Sequence, residues 1–346
     1  METPHIPALI VGAGPIGLAC AISAKRRGID TLVIDAGAIA ESIVRYPVGM
    51  TFFTTPERLE IGGHPLVCAG QKATREEALK YYRGVVRAEG LRVRTCARLL
   101  TAGRSDGQAV GPLHATLSTP RGEETVSCDR LVLATGYFDH PNLLGIPGEE
   151  LPHVSHYADE PHVVWGQEVV IIGGKNSAVE AALLYFRAGA RVTLVYRRQE
   201  LRPSVKYWLR PDLDNRIRAG EIRALFGAEA EAISPGGVRV RRADGKVEEI
   251  PADRVYALTG YHPDFALFDR LGIVSDPVTG KPVLDPETLE TNVPGVYLAG
   301  SAGAGRAIGE VFIENGRLDG ERIFGTPEER GRAAQPGGNP PRPEGE

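Results

Sequence analysis

The stretch Leu9-Ile10-Val11-Gly12-Ala13-Gly14-Pro15-Ile16-Gly17 returns in altered form 161 positions later, as Val170-Ile171-Ile172-Gly173-Gly174-Lys175-Asn176-Ser177-Ala178. Each copy runs from an apolar strand pattern into a glycine-rich turn and then an alanine-rich helical pattern. Each helical pattern ends near a glycine at the same offset, Gly28 and Gly189. A second strand follows, Leu32-Val33-Ile34-Asp35 in one copy and Thr193-Leu194-Val195-Tyr196 in the other. One glycine-rich turn is a weak signal. Two in register, inside the same strand–helix–strand pattern, predict an α/β chain that binds two dinucleotides.

The 346 residues leave room for two cores of ordinary size. A net charge of −4 without a basic block gives no footprint for nucleic acid. No stretch reads as a membrane span and no secretory leader pattern opens the chain, so a soluble cytoplasmic protein is expected. The four cysteines, Cys20, Cys68, Cys96 and Cys128, form no Cys-x-x-Cys pair and read as small hydrophobes. Eight scattered histidines suggest no metal site.

Residues 41–70 lose periodicity and collect aromatics, Pro, Gly and Thr, as functional loops often do. Thr74, with Glu77 three residues on, predicts a capped helix to about Ala88. Short strands are expected at Arg92–Cys96, His114–Ser118 and Glu124–Ser127, and a buried one over Arg130–Leu133 that stops at Thr135-Gly136. Further strands are expected at Val238–Arg242 and Val255–Leu258, and a closing helix from about Ile308 to Phe324. The last 21 residues hold nine Pro or Gly and read as disordered. The layout is two Rossmann-like dinucleotide-binding domains, the second inserted into the first: residues 1–158 with 263–325, then 159–262, with a tail over 326–346.

The differences between the copies are as informative as the repeat. Gly12, Gly14 and Gly17 allow the tight turn and a close backbone approach to a pyrophosphate at a helix N-terminus. Asp35 ends the second strand, where a carboxylate takes hydrogen bonds from a ribose diol. In the second copy Tyr196 stands there instead, followed by Arg197, Arg198 and, further on, Arg202. Guanidinium groups hold a 2′-phosphate that a carboxylate would repel. The second site is therefore expected to prefer NADPH, with Lys175, Asn176 and Ser177 reaching the pyrophosphate and Gly173, Gly174 and Ala178 shaping the turn. The first site then fits FAD.

Together these residues resemble the low-molecular-weight thioredoxin-reductase-like flavoproteins, and within them the bacillithiol-disulfide reductase family. The strings that carry the resemblance include Tyr46-Pro47-Val48-Gly49-Met50-Thr51-Phe52-Phe53, Tyr137-Phe138-Asp139-His140-Pro141-Asn142, Gly173-Gly174-Lys175-Asn176-Ser177-Ala178, Lys206-Tyr207-Trp208 and Phe312-Ile313-Glu314-Asn315-Gly316-Arg317. It covers nearly all of residues 6–325. It implies an FAD enzyme that spends NADPH on the disulfide of a small bacterial thiol. By matching, FAD would be held by Gly12, Gly14, Pro15, Ile16, Gly17, Asp35, Thr135, Gly136 and Gly300. Tyr46 and Thr51 would lie near its ring, and Arg306, Ala307 and Ile308 would start the last helix against it. Relatives of this kind form homodimers or larger homo-oligomers.

Three departures bear on the chemistry. Thioredoxin reductases carry Cys-x-x-Cys just before the second motif, where this chain reads Val154-Ser155-His156-Tyr157-Ala158-Asp159. Some closer relatives place a cysteine where Ile16 stands, leaving Cys20, one turn further, as a weak catalytic candidate beside His156. The late Gly-Asp of the group is Gly300-Ser301. The expected substrate is a small disulfide, with Arg45, Arg75, Lys206, Tyr207 and Trp208 as pointers to its site. The alternatives are a ferredoxin or flavodoxin reductase, a flavin monooxygenase, and a sensor that only binds NADPH.

Overall fold

The chain begins with β1 (His5–Val11), α1 (Pro15–Arg26) and β2 (Thr31–Ile34). β1 lies between two parallel neighbours, and its Leu9 and Ile10 are fully buried. Burial on both faces explains why it reads as a continuous apolar run. The computed structural model describes residues 3–104, 111–306 and 311–334. It separates into two units: Met1–Val44, Thr51–His140 and Tyr261–Glu346 form the first, Arg45–Met50 and Pro141–Gly260 the second.

The first unit continues with α2 (Glu41–Val44), α3 (Pro56–Leu59), α4 (Arg75–Glu89), β3 (Val93–Arg94), β4 (Arg98–Gly103), β5 (Leu113–Thr119) and β6 (Gly122–Leu133). Its sheet runs β3-β2-β1-β6-β5-β4. The β1, β2 and β3 pairings are parallel, while β4 and β5 form an antiparallel extension on β6. The two strands expected at Glu124–Ser127 and Arg130–Leu133 are one. Its first half pairs with β5 and its second half with β1, so no turn is needed between them. α4 has both halves of its capping box: Thr74 accepts the Glu77 N–H and Glu77 accepts the Thr74 N–H.

The second unit contains β7 (Val154–Ser155), β8 (Glu168–Ile172), α5 (Asn176–Arg187), β9 (Arg191–Tyr196), α6 (Arg210–Arg218), β10 (Ile222–Phe226), β11 (Ala228–Ser234), β12 (Gly237–Arg242), β13 (Val247–Pro251) and β14 (Arg254–Ala257). A parallel sheet runs β10-β9-β8-β14-β7, and β11, β12 and β13 form a separate antiparallel sheet. The unit starts at 141 rather than 159. β7 is a strand of its sheet, and the Ile233 N–H donates to the Pro147 carbonyl at 2.8 Å.

The chain returns to the first unit through α7 (Phe265–Arg270) and β15 (Val296–Leu298), the latter parallel to β6. α8 (Ile313–Gly316), α9 (Asp319–Phe324) and α10 (Pro327–Ala333) follow. The closing helix is thus broken where it is described, with residues 311 and 312 outside any helix. The tail read as disordered holds a helix in its first part. Thr326 and Glu329 form a capping box for α10, and Arg27, just after α1, pairs with both Glu321 and Glu329, at 2.5 and 2.8 Å. Among the described residues no helix is long and apolar enough to cross a membrane.

Thr74→Ala removes the accepting hydroxyl of the α4 capping box and should cost about 1 kcal/mol. That corresponds to a fall in Tm of about 2–4 °C for a unit of this size, read by calorimetry.

Candidate functional site

Three parallel strands of the first unit end in register: Val11 of β1 pairs with Leu133 of β6, which pairs with Leu298 of β15. The turns that follow them, at Gly12, Thr135 and Gly300, meet at the carboxyl edge of the sheet, where open α/β sheets take ligands. Gly12 has φ +109°, and a Cβ there would collide with the Ala134 carbonyl. A Cβ on Gly17 would collide with the Gly12 carbonyl. Gly14 is different, because its missing side chain faces open space. It is the N-cap of α1, with Pro15 at the first helical position and no side chain capping the free N–H groups.

Polar groups converge on the same edge. The Asp35 carboxylate accepts the Ala13 N–H at 2.7 Å and the Gly37 N–H at 2.8 Å. Burial raises its pKa against the pull of those bonds, with Asp139 and Glu41 adding negative charge nearby. Thr135 Oγ1 is buried without a hydrogen-bond partner among the described residues. A buried hydroxyl in that state points to a polar ligand. An uncapped helix N-terminus, a carboxylate and an orphaned hydroxyl together suit an adenine dinucleotide with its pyrophosphate and ribose. Glu41, which accepts the Ala38 N–H at 2.9 Å beside Gly37, had no distinguishing pattern in the sequence.

The remaining first-unit residues divide. Ile16 is wedged against Gly300 and Gly316; a Cβ on Gly316 would lie 2.6 Å from its Cδ1. Cys20 is fully buried beneath Gly320 of α9, and burial, Asp319 and Glu321 together push its thiol pKa well up. It is core, not an accessible nucleophile. Thr51 bridges Thr74, and the Arg306 N–H donates to the Thr279 carbonyl at 2.8 Å. Tyr46 belongs to Arg45–Met50 of the second unit, so the expected set is split between units. Ala307 and Ile308 lie outside the described residues. Asp319, unremarked in the sequence, is buried on the first turn of α9. Its carboxylate accepts the Gly300 N–H at 2.6 Å and faces Arg322 at 3.6 Å. Burial pushes its pKa up to about 6.

In the second unit β8, β9 and β14 are parallel, with Ile172 paired to both Val195 and Ala257. A Cβ on Gly173 would lie 2.5 Å from the Leu258 carbonyl oxygen, and one on Gly174 would lie 2.5 Å from the Tyr196 ring. Lys175 is the N-cap of α5, without a side-chain capping bond. Ser177 is half-buried on the first turn, and Ala178 is buried behind Gly173. Burial lowers the Lys175 pKa, and so do Arg202, Arg197 and Arg198 close by. Many arginines of this chain sit against carboxylates, but no ion pair forms at any of these four among the described residues. A cluster of unneutralised cations favours a multiply charged anion such as a phosphate.

Several pointers from the sequence prove to be internal. Asn176 Nδ2 donates to the Ser204 carbonyl at 3.3 Å and its Oδ1 accepts the Lys206 N–H at 2.8 Å. Its side chain ties the 204–206 loop to α5 through both its amide and its carbonyl group. Lys206 is buried, donates to Glu180 and lies 5.7 Å from the Trp208 ring. Tyr207 is exposed, its ring edge-on to Trp208. Arg75 donates to the Ile43 and Val44 carbonyls, and Arg45 lies over the Tyr157 ring. His156 sits between the Ala257 carbonyl, 3.2 Å from Nδ1, and Glu149, 3.6 Å from Nε2. Glu149 in turn accepts the Leu144 and Gly145 N–H groups, so His156 is a strut within this unit. Among the described residues no group of three or more His, Cys, Asp or Glu could hold a metal.

The family model described as pyridine nucleotide-disulphide oxidoreductase matches residues 9–300. The bacilliredoxin reductase of Bacillus subtilis (strain 168) is 42% identical over 316 residues, 91% of this chain and 95% of that protein. The solved bacillithiol disulfide reductase of Bacillus cereus superposes with a TM-score of 0.89 at 39% identity, covering 95% of this chain and 99% of that one. The Staphylococcus aureus enzyme of the same name gives 0.87 at 37% identity, covering 93% and 98%.

Asp319 titrates near 6 in the folded chain and near about 4 when unfolded. The folded state holds this proton more tightly, so its contribution is complete below about pH 4 and is lost as pH rises through about 6. Asp319→Asn should therefore gain about 2–3 kcal/mol over the wild type between about pH 4.5 and 7.5 in paired urea unfolding curves. A stability difference that stays constant across that range would refute the assignment.

Proposed function

The chain belongs to the pyridine nucleotide-disulphide oxidoreductase family, and from that premise we propose that it is an NADPH-dependent FAD enzyme reducing a low-molecular-weight disulfide, bacillithiol disulfide. One observation carries the reading. Relatives named for bacilliredoxin and bacillithiol disulfide match it nearly end to end, and like a reductase without a dithiol relay it has Val154–Asp159 where Cys-x-x-Cys would stand.

The two units are then Rossmann-like dinucleotide-binding domains, the second inserted into the first. FAD, when bound, supplies the two-electron chemistry between the nicotinamide and the disulfide. In the first domain the free N–H groups at the start of α1 bind the pyrophosphate, through the opening left by Gly14. Asp35 accepts from the ribose with the lone pairs its two backbone bonds leave over, and Thr135 Oγ1 gains the partner it lacks. Gly136 and Gly300 keep the neighbouring turns clear of side chains. In the second domain Arg197, Arg198 and Arg202 hold the 2′-phosphate, and Lys175 with the α5 N-terminus holds the pyrophosphate.

Anaerobic enzyme reduced with NADPH should be reoxidised by added bacillithiol disulfide, followed by flavin absorbance. Reoxidation no faster than with buffer would overturn the substrate assignment. Arg197→Ala with Arg198→Ala should raise KM for NADPH by about tenfold or more while KM for NADH moves far less. Cys20→Ala should keep kcat within about twofold, because a buried thiol of raised pKa takes no part in turnover.

A further inference from the structure

We infer that Asn176, backed by the Glu180–Lys206 pair, is a positioning device that fixes the Arg202-bearing loop against α5 and so assembles the cation cluster for the 2′-phosphate. The inference rests on the NADPH reading of the second domain and extends it to residues that do not touch the ligand.

Asn176 and Glu180 stand four residues apart on α5 and share one face of that helix. Both reach the same three-residue segment. The Asn176 carboxamide donates to the Ser204 carbonyl and accepts the Lys206 N–H, while Glu180 takes the buried Lys206 ammonium. A carboxamide can give and take at one position; a carboxylate or an aliphatic side chain would lose one or both bonds. Arg202 lies just upstream of that segment. Its carbonyl accepts the Val205 N–H at 3.1 Å, and its flanks Leu201 and Val205 are buried in the core. Arg210 donates to the Leu201 carbonyl at 3.2 Å, and the Gly227 N–H to the Arg198 carbonyl at 2.8 Å. The backbone on either side of the cluster is therefore tied down.

Four cations without carboxylate partners among the described residues repel one another, and a loop free to move would carry Arg202 away from Lys175. The stitch from α5 opposes that drift before any ligand arrives. Its loss is expected in affinity for the 2′-phosphate, not in the shared remainder of the cofactor. A direct pyrophosphate ligand at Asn176 would behave otherwise, since NADP⁺ and NAD⁺ carry the same pyrophosphate.

The test is calorimetric titration of the FAD-loaded enzyme with NADP⁺ and with NAD⁺, for wild type, Asn176→Ala and the milder Glu180→Gln. Asn176→Ala should weaken NADP⁺ binding by about tenfold more than NAD⁺ binding, and Glu180→Gln should shift the same ratio by a few-fold. In steady state the NADPH loss should fall on KM more than on kcat. Equal weakening of both nucleotides, or none, overturns the inference while leaving the reading of the site standing. A wild type that binds NAD⁺ as well as NADP⁺ overturns that reading, and this inference with it.

Discussion

Both cradles depend on backbone packed directly against backbone at the end of a parallel strand. Gly12 lies against the Ala134 carbonyl and Gly173 against the Leu258 carbonyl, each with a positive φ and no room for a Cβ. This contact sets where the chain turns off the sheet, and hence where α1 and α5 begin. A helix that started elsewhere would aim its free N–H groups away from the carboxyl edge of the strands. In the first copy the same close fit recurs at Gly17 against Gly12. In the second it is met by Ala178, whose methyl lies 3.1 Å from the Cβ position of Gly173.

With that backbone shared, the two copies diverge in coupled pairs. Ala13 follows Gly12 and is tied by its N–H to Asp35. Gly174 stands at the equivalent place and lies under the ring of Tyr196, which replaces Asp35. An alanine at Gly174 would strike that ring, and an aspartate at Tyr196 would sit among Arg197, Arg198 and Lys175. Pro15 and Asn176 form a third contrast: one only stiffens the start of its helix, the other spends both ends of its side chain on a neighbouring loop.

What the sequence made legible was local. The capping box of Thr74 and Glu77, the glycine turns, the buried strand ends and the cations after Tyr196 all announce themselves over a few residues. What it hid were partnerships across long separations. Asp319 meets the Gly300 N–H, Lys206 meets Glu180, and His156 meets Glu149, and no spacing rule links such positions. The place of Asn176 in the motif is visible in the sequence, whereas its partner Ser204, 28 residues on, is not. The two halves of β6 serve different neighbours, so its sequence pattern changes midway and resembles two strands. In the tail, composition weighs Pro and Gly but not the Thr-Pro-Glu-Glu cap that starts α10.

Sulfur placement then narrows how electrons can leave such a chain. A relay through protein thiols needs two cysteines that can pair and that reach the thiolate state. Cys20 and Cys128 are buried, the latter with its pKa pushed up to about 12 by desolvation, and all four cysteines are free. Ile16, half-buried, packs against Gly300 and Gly316, so this position carries an aliphatic side chain and no thiol. The segment that holds a dithiol in thioredoxin reductases is here a strand edge and a histidine strut. A small disulfide can approach a cofactor directly, whereas a protein disulfide served through a swinging dithiol would need sulfur that this segment lacks. The absence of sulfur at these positions therefore argues against a thioredoxin-type dithiol relay and agrees with the small-disulfide reading.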